Sequence, residues 1–149
     1  MEKNTEVLND LIKINYDREK GYEKAAAETK DGDADLRRLF NDMAGDSRGY
    51  INELERLVTS RGESPADGTT IYGDIYRGWM DVKATFTGKD RKGILASCEF
   101  GEDAAQRAYE KALKEDELTA EVRQLISDQK ARLKTSHDKV KRMRDTQPA

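Results

Sequence analysis

Polar residues interrupt the apolar stripes of four amphipathic segments of the sequence. They are Asn15 and Glu19, Ser47 and Glu53, Glu99 and Glu102, and Gln129 and His137. A carboxylate that faces a protein core costs several kcal/mol unless a cation neutralises it. These inward-facing acids therefore predict a bound cation, which is either a metal ion or an arginine of the same chain.

The metal interpretation predicts iron or manganese, because carboxylates and imidazoles on facing helices bind these ions. Its candidate ligands are Glu19, Glu99, Glu102 and His137. A di-metal bundle, however, carries a Glu-x-x-His pair on each of two helices. The sequence has neither pair, since Arg56 stands three residues after Glu53 and Lys134 stands three residues before His137. An intact ferroxidase centre is therefore not predicted.

In the alternative interpretation, arginines neutralise the same acids, or the acids reach solvent at the stripe edges. The candidate arginines are Arg18, Arg48, Arg107 and Arg132. The missing Glu-x-x-His pairs favour this alternative, and the sequence leaves both open.

No set of residues typical of metal-independent catalysis is present. The single histidine, His137, is more typical of a hydrogen-bonded core or boundary residue than of a metal ligand. The single cysteine, Cys98, lies on an apolar stripe and is typical of a packed thiol. We therefore expect no catalytic residue and a protein that is not an enzyme.

The elements that carry these residues are helices, because apolar residues recur at spacings of three and four. The predicted long helices cover about residues 5–30, 34–61, 90–114 and 119–143, and a shorter one covers 72–86. Short turns near Gly32 and Asp116 predict two antiparallel hairpins, while Gly62 and Pro65 end the second helix. The long connection between the hairpins predicts an all-α, ferritin-like four-helix bundle with a crossover that contains the short fifth helix.

Counting residues from the two turns predicts which polar residues meet. Glu19 is expected near Ser47, and Glu102 near Gln129 or Lys130, all at mid-height in the bundle. The same count places Glu99 beside Leu133. It separates Glu53 from His137 by about a dozen residues, or ~18 Å along a helix, so that these two cannot share a metal.

The short helix is rich in aromatic residues, including Tyr72, Tyr76 and Trp79. Its simplest interpretation is that these side chains cover the bundle. The alternative is an association surface, which would make a homodimer or an unidentified protein the partner.

Seven basic residues and one acid, Asp138, occur between Lys130 and Arg144. Such a run is compatible with a nucleic-acid or other anionic partner. Cations near a helix C-terminus also complement the helix dipole, so nucleic-acid binding is not the expected function.

Composition gives the expected class of protein. The 149 residues are 36% hydrophobic and 38% charged, with a net charge of −3. No stretch approaches the roughly 20 apolar residues of a membrane helix, and the first residues show no signal-peptide core. We expect a single cytoplasmic domain over residues 1–149, with the last few residues disordered.

Several motifs resemble a bacterial family of ferritin-like four-helix-bundle proteins of unknown function, over about residues 7–145. They are Leu8-Asn9-Asp10-Leu11-Ile12, Gly21-Tyr22, Glu53-Leu54, Arg77-Gly78-Trp79-Met80-Asp81, Thr87-Gly88, Gly101-Glu102-Asp103-Ala104-Ala105 and Tyr109. The resemblance implies a ferritin-like fold in a small bacterial protein, and some ferritin-like proteins are associated with stress. It implies no substrate and no catalytic residue.

The sequence thus predicts a non-catalytic, stress-associated scaffold or association module. The alternative is a metal-binding bundle with a reduced, carboxylate-rich site for iron or manganese between its helices.

Overall fold

The computed structural model describes residues 2–27, 29, 33–67 and 91–147. These residues form four long α-helices and contain no strand. The helices are α1 (Lys3–Ala27), α2 (Ala34–Ser60), α3 (Arg91–Leu113) and α4 (Ala120–Asp145). The all-helical prediction is confirmed, and the helix bounds differ from the predicted ones by at most three residues. The predicted short helix over residues 72–86 lies outside the described residues.

Two helix ends have the local chemistry that the sequence predicts. At the end of α2, Gly62 has a φ of 74°, a conformation that glycine adopts without strain. The amides of Gly62 and Glu63 donate to the carbonyl oxygens of Thr59 and Val58, at 3.0 and 3.2 Å, which satisfies two orphan acceptors. At the start of α4, the Thr119 hydroxyl accepts from the amide of Val122.

The end of α1 and the start of α2 have different local contacts. Helix α1 ends at Ala27, because the Thr29 hydroxyl and amide both donate to the Ala26 carbonyl that a longer helix would use, at 2.7 and 3.3 Å. Asp33 precedes α2 but makes no side-chain capping hydrogen bond. Its carboxylate instead accepts from Arg91, at 2.6 Å.

Contacts along the helices define their directions. Helices α1 and α2 are antiparallel, since Arg61 contacts Glu2 at one end and Ser47 contacts Arg18 near the middle. Helices α1 and α3 are also antiparallel, since Asn4 contacts the carbonyl of Glu117 whereas Tyr22 contacts Glu102. The second hairpin, α3 and α4, packs against the first through α1·α3 and α2·α4 contacts.

The connection between the hairpins joins opposite ends of the bundle. Arg61, at the end of α2, lies beside Glu2. Arg91, at the start of α3, lies instead beside Asp33 and Asp35, at the start of α2. Helices α2 and α3 are therefore parallel.

The apolar core consists of two clusters, one towards each end. One contains Tyr22, Phe40, Leu95 and their neighbours, and the other contains Leu8, Leu54, Ile126 and their neighbours. Five buried polar residues interrupt this core: Asn15, Arg18, Ser47, Glu102 and Gln129. These five residues, with Tyr109, are called the polar layer below. None of the described helices has a stretch long and apolar enough to cross a membrane.

Candidate functional site

The centre of the polar layer is an ion pair between α1 and α3. The Arg18 guanidinium donates from Nε and Nη2 to Oε1 of Glu102, at 2.9 and 2.8 Å. The two side chains are 1% and 0% exposed. Arg18 lies three residues after Asn15 and four before Tyr22, so the helical repeat of α1 places it on the face that packs against the other helices.

Tyr22 completes the surroundings of this pair. Its hydroxyl donates to the same Glu102 oxygen at 2.5 Å, and the Arg18 guanidinium lies 5.0 Å from the centre of its ring. Burial, reinforced by the charge of Glu102, holds the pKa of Tyr22 well above its ordinary value. Burial also raises the pKa of the Cys98 thiol, with Glu102 adding to the effect. Both groups are therefore neutral at physiological pH.

Arg18 also connects the ion pair to α2. Its Nη1 donates to the carbonyl of Met43 and to the hydroxyl of Ser47, at 3.0 and 2.8 Å. The Ser47 hydroxyl in turn donates to Oδ1 of Asn15, at 3.1 Å. Asn15 then donates from Nδ2 to the Tyr109 hydroxyl at 2.8 Å and to its own helix at the Leu11 carbonyl.

The hydrogen-bond chain continues into α4. The Tyr109 hydroxyl donates to Gln129 Oε1 at 2.7 Å, and burial raises the pKa of this tyrosine. Gln129 Nε2 donates to the Tyr50 carbonyl and to Glu53, at 3.1 and 3.2 Å. Glu53 pairs with the half-exposed Arg132 at 2.9 Å, so the chain reaches the surface there. All four helices thus contribute to one connected network.

This arrangement gives the polar layer a permanent internal cation. An arginine side chain stays protonated at any physiological pH, and Glu102 further favours the charged form of Arg18, which raises its pKa despite burial. Removing either partner would leave an uncompensated charge in the core. A metal ion that took the place of the guanidinium at Oε1 would leave Arg18 without its counterion, while the buried Oε2 of Glu102 accepts no hydrogen bond from the described residues.

A second cluster of chemically active groups lies between α3 and α4. Glu99, Asp103 and His137 each have one donor atom within 4.8 Å of the other two. His137 Nε2 lies 2.6 Å from Asp103, and His137 Nδ1 lies 3.1 Å from Asp138. Burial lowers the pKa of His137, but the hydrogen bonds with Asp138 and Asp103 outweigh it, so the net shift is upward. These three residues are called the α3–α4 cluster below.

The four residues predicted as metal ligands fall in three places. Glu102 lies in the polar layer with Arg18, and Glu19 pairs with Arg48 on α2 at 2.6 Å. Only Glu99 and His137 come together. Arginines thus pair with Glu102 and Glu19, as the alternative interpretation predicts. Glu53 pairs with Arg132 in the same way. The predicted association residues Tyr72, Tyr76 and Trp79 lie outside the described part of the chain.

Two residues of these clusters were missed as site residues in the sequence. Arg18 was considered only as a neutralising partner, although its spacing from Asn15 and Tyr22 places it on the apolar stripe. Asp103 was not considered, although it follows Glu99 by one helical turn and so shares its face. Asn15, Ser47 and Gln129 were expected to face the core, and all three are 0% exposed.

The comparisons with known proteins identify the family. The chain superposes on the crystal structure of a conserved hypothetical protein, rv2844, from Mycobacterium tuberculosis, with a TM-score of 0.73 and 14% sequence identity. The match covers 99% of this chain and 94% of that chain, and at this identity it shows a shared fold alone. No curated protein sequence matches significantly. Residues 3–115 match a family described as a domain of unknown function (DUF2383), and the chain belongs to this family.

Proposed function

We propose that this protein is a non-catalytic scaffold of the ferritin-like kind that acts by association, either with a second copy or with another protein. The observation that carries the proposal is the Arg18–Glu102 ion pair. It puts an arginine, rather than a cation that can bind and react, beside the buried carboxylate of Glu102. An arginine can neutralise Glu102, but it offers no open coordination position and no redox chemistry.

The energetics of the ion pair support a closed centre. Glu102 accepts from two guanidinium nitrogens and from the Tyr22 hydroxyl on one oxygen. Replacing these donors by a metal ion would leave the Arg18 charge buried without its counterion. Breaking a buried pair in this way costs about 3–5 kcal/mol.

The extent of the polar layer supports a scaffold role. Each polar side chain finds its partner in only one relative position of the helices, because hydrogen bonds require donor and acceptor within about 3.2 Å. The network from Glu102 to Glu53 therefore favours one register for all four helices. A fixed register presents a fixed outer surface, which is what an association module requires.

Surface aromatic residues support association as the mode of action. Phe100, on α3, is 53% exposed and is the one exposed large hydrophobic side chain among the described residues. The sequence also predicts Tyr72, Tyr76 and Trp79 as candidate association residues. A homodimer is the simplest association that such surfaces allow.

Sedimentation equilibrium of the full chain tests the association. We expect a dimer at micromolar concentration, and dissociation in the Trp79→Ala variant with unchanged helical circular dichroism. Phe100→Ser tests the surface around Phe100 in the same way. Arg107→Ser, at an exposed position of α3, serves as the control. A wild-type chain that remains monomeric up to about 100 μM would overturn self-association.

A mixing experiment tests association with another protein. Chain carrying a photo-crosslinker at position 100 is compared with chain carrying it at position 107. Specific products at position 100 alone are expected, and their absence at both positions together with a monomeric chain would overturn the association role.

Aerobic Fe(II) titration tests the non-catalytic part of the proposal. We expect no oxidation of iron above the rate in buffer. Iron oxidation by the wild type that is lost in the Glu102→Gln variant would overturn the non-catalytic role. That result would favour the second candidate function, a metal-binding bundle with a carboxylate-rich site between its helices.

A further inference from the structure

The α3–α4 cluster brings one imidazole and two carboxylates together from two rigid helices. Glu99 and Asp103 lie one turn apart on α3, and His137 meets them from α4. Their side chains are 14%, 45% and 17% exposed, so the cluster is sheltered but open on the Asp103 side. An ion and its remaining water ligands would have access from that side.

The orientation of the His137 ring is fixed by a further carboxylate. Asp138 lies 3.1 Å from Nδ1, and Asp138 is itself held by Lys134 at 2.9 Å. Histidines that bind metals typically donate their other ring N–H to such a carboxylate, which fixes the tautomer and the ring plane. The contact thus presents Nε2, the nitrogen that faces Asp103 and Glu99, as the ligating atom.

We propose that Glu99, Asp103 and His137 bind a divalent first-row transition-metal ion that links α3 to α4. Imidazole with carboxylates suits zinc, manganese or iron rather than magnesium or calcium. Metal–ligand bonds of about 2.0–2.2 Å require the donor atoms to approach one another more closely than 4.8 Å. Side-chain rotation of Glu99 and Asp103 achieves this, while both helices stay in place.

The charges around the cluster are compatible with a cation. Arg144 Nη1 lies 2.5 Å from Oε2 of Glu99, which leaves Oε1 of that carboxylate for the ion. His137 and Asp103 share a close hydrogen bond, and a metal would take the place of its proton. The inference is independent of the scaffold role, because the cluster includes neither Arg18 nor Glu102.

Calorimetric titration of EDTA-treated, dialysed full-length protein with Zn²⁺ tests the site. We expect one equivalent per chain, and a weakening of at least tenfold in His137→Gln and in Asp103→Asn. Glu19→Gln, which alters an acid paired with Arg48 outside the cluster, is the matched control and should bind as the wild type does. Magnesium at millimolar concentration should not compete.

Thermal unfolding gives a second readout that does not depend on calorimetry. Zn²⁺ should raise the Tm of the wild type and of Glu19→Gln, because ligands that bind only the folded state stabilise it. The Tm of His137→Gln should not change with Zn²⁺. The inference is overturned if the wild type takes up no zinc. It is also overturned if His137→Gln and Asp103→Asn take up zinc as the wild type does. Neither result affects the scaffold proposal. Uptake that requires Glu102 would contradict both the inference and the scaffold proposal.

Discussion

The side chains of Arg18 and Glu102, 84 residues apart in the chain, form an ion pair that is closed to solvent between α1 and α3. Every other member of the polar layer is linked to this pair by hydrogen bonds that reach α2 and α4. The ion pair therefore has two roles. It neutralises the buried Glu102 carboxylate, and it belongs to the hydrogen-bond network that favours one register of the four helices.

The first prediction concerns the stability of the ion pair. Arg18→Met leaves the Glu102 carboxylate buried without a counterion, and we expect it to lower the free energy of unfolding by about 3–5 kcal/mol. Urea denaturation followed by circular dichroism measures this change. The matched control is Arg48→Met, which removes a half-exposed partner of Glu19 and should cost about 1 kcal/mol or less.

A double variant separates loss of the pair from loss of packing. Arg18→Met combined with Glu102→Leu removes both charges, so it should be more stable than Arg18→Met alone. A double variant at least as unstable as the sum of its single variants would contradict the assignment of the pair as mutually neutralising.

The second prediction concerns the hydrogen bonds of Tyr109. In Tyr109→Phe, both Asn15 and Gln129 lose a buried hydrogen-bond partner. We therefore expect the free energy of unfolding to fall by about 1–3 kcal/mol. Tyr16→Phe, at a partly exposed position of α1, is the control. Equal urea midpoints for the two variants would show that the polar layer does not depend on this hydroxyl.

The third prediction concerns the reactivity of Cys98. The thiol is 0% exposed, and burial and the charge of Glu102 raise its pKa, so little thiolate exists at pH 8. We expect iodoacetamide to modify native protein on the order of a thousandfold more slowly than urea-unfolded protein, since access requires opening of the fold. Mass spectrometry of timed samples checks this, and rapid modification in native buffer would contradict the described core.

The fourth prediction concerns the pKa of Asp35. Its hydrogen bond with Arg91, at 2.8 Å, lowers the pKa of the Asp35 carboxyl below its ordinary value. This contact stabilises the folded chain above the ordinary aspartate pKa, and the contribution is lost as the pH falls through the lowered one. Carbonyl NMR titration should show the pKa of Asp35 rising in Arg91→Gln, and an unchanged pKa would contradict the contact.

The helices were predictable because the evidence for them is local. Apolar residues at spacings of three and four mark the buried face of each helix, whatever it packs against. The same periodicity identified Asn15, Ser47 and Gln129 as core-facing residues. Gly62 and Thr119 marked helix ends through conformational preferences that also depend only on nearby residues.

The pairing of charges was not predictable, because it depends on how the helices are aligned. Counting from the turn near Asp116 placed Glu99 beside Leu133, whereas its described partners are His137 and Arg144. An offset of one turn is enough to exchange one neighbour for another. The ion pair of Asp33 with Arg91 also depends on helix alignment, since the two residues are far apart in the sequence.

A crystal structure after soaking in Fe²⁺ under anaerobic conditions, with anomalous data collected at the iron edge, would show directly whether the polar layer binds metal. We expect the Arg18 guanidinium to contact Glu102 and no anomalous peak within the polar layer. An anomalous peak coordinated by Glu102, with Arg18 displaced, would contradict a closed centre and would favour the carboxylate-rich metal site as the function of the bundle.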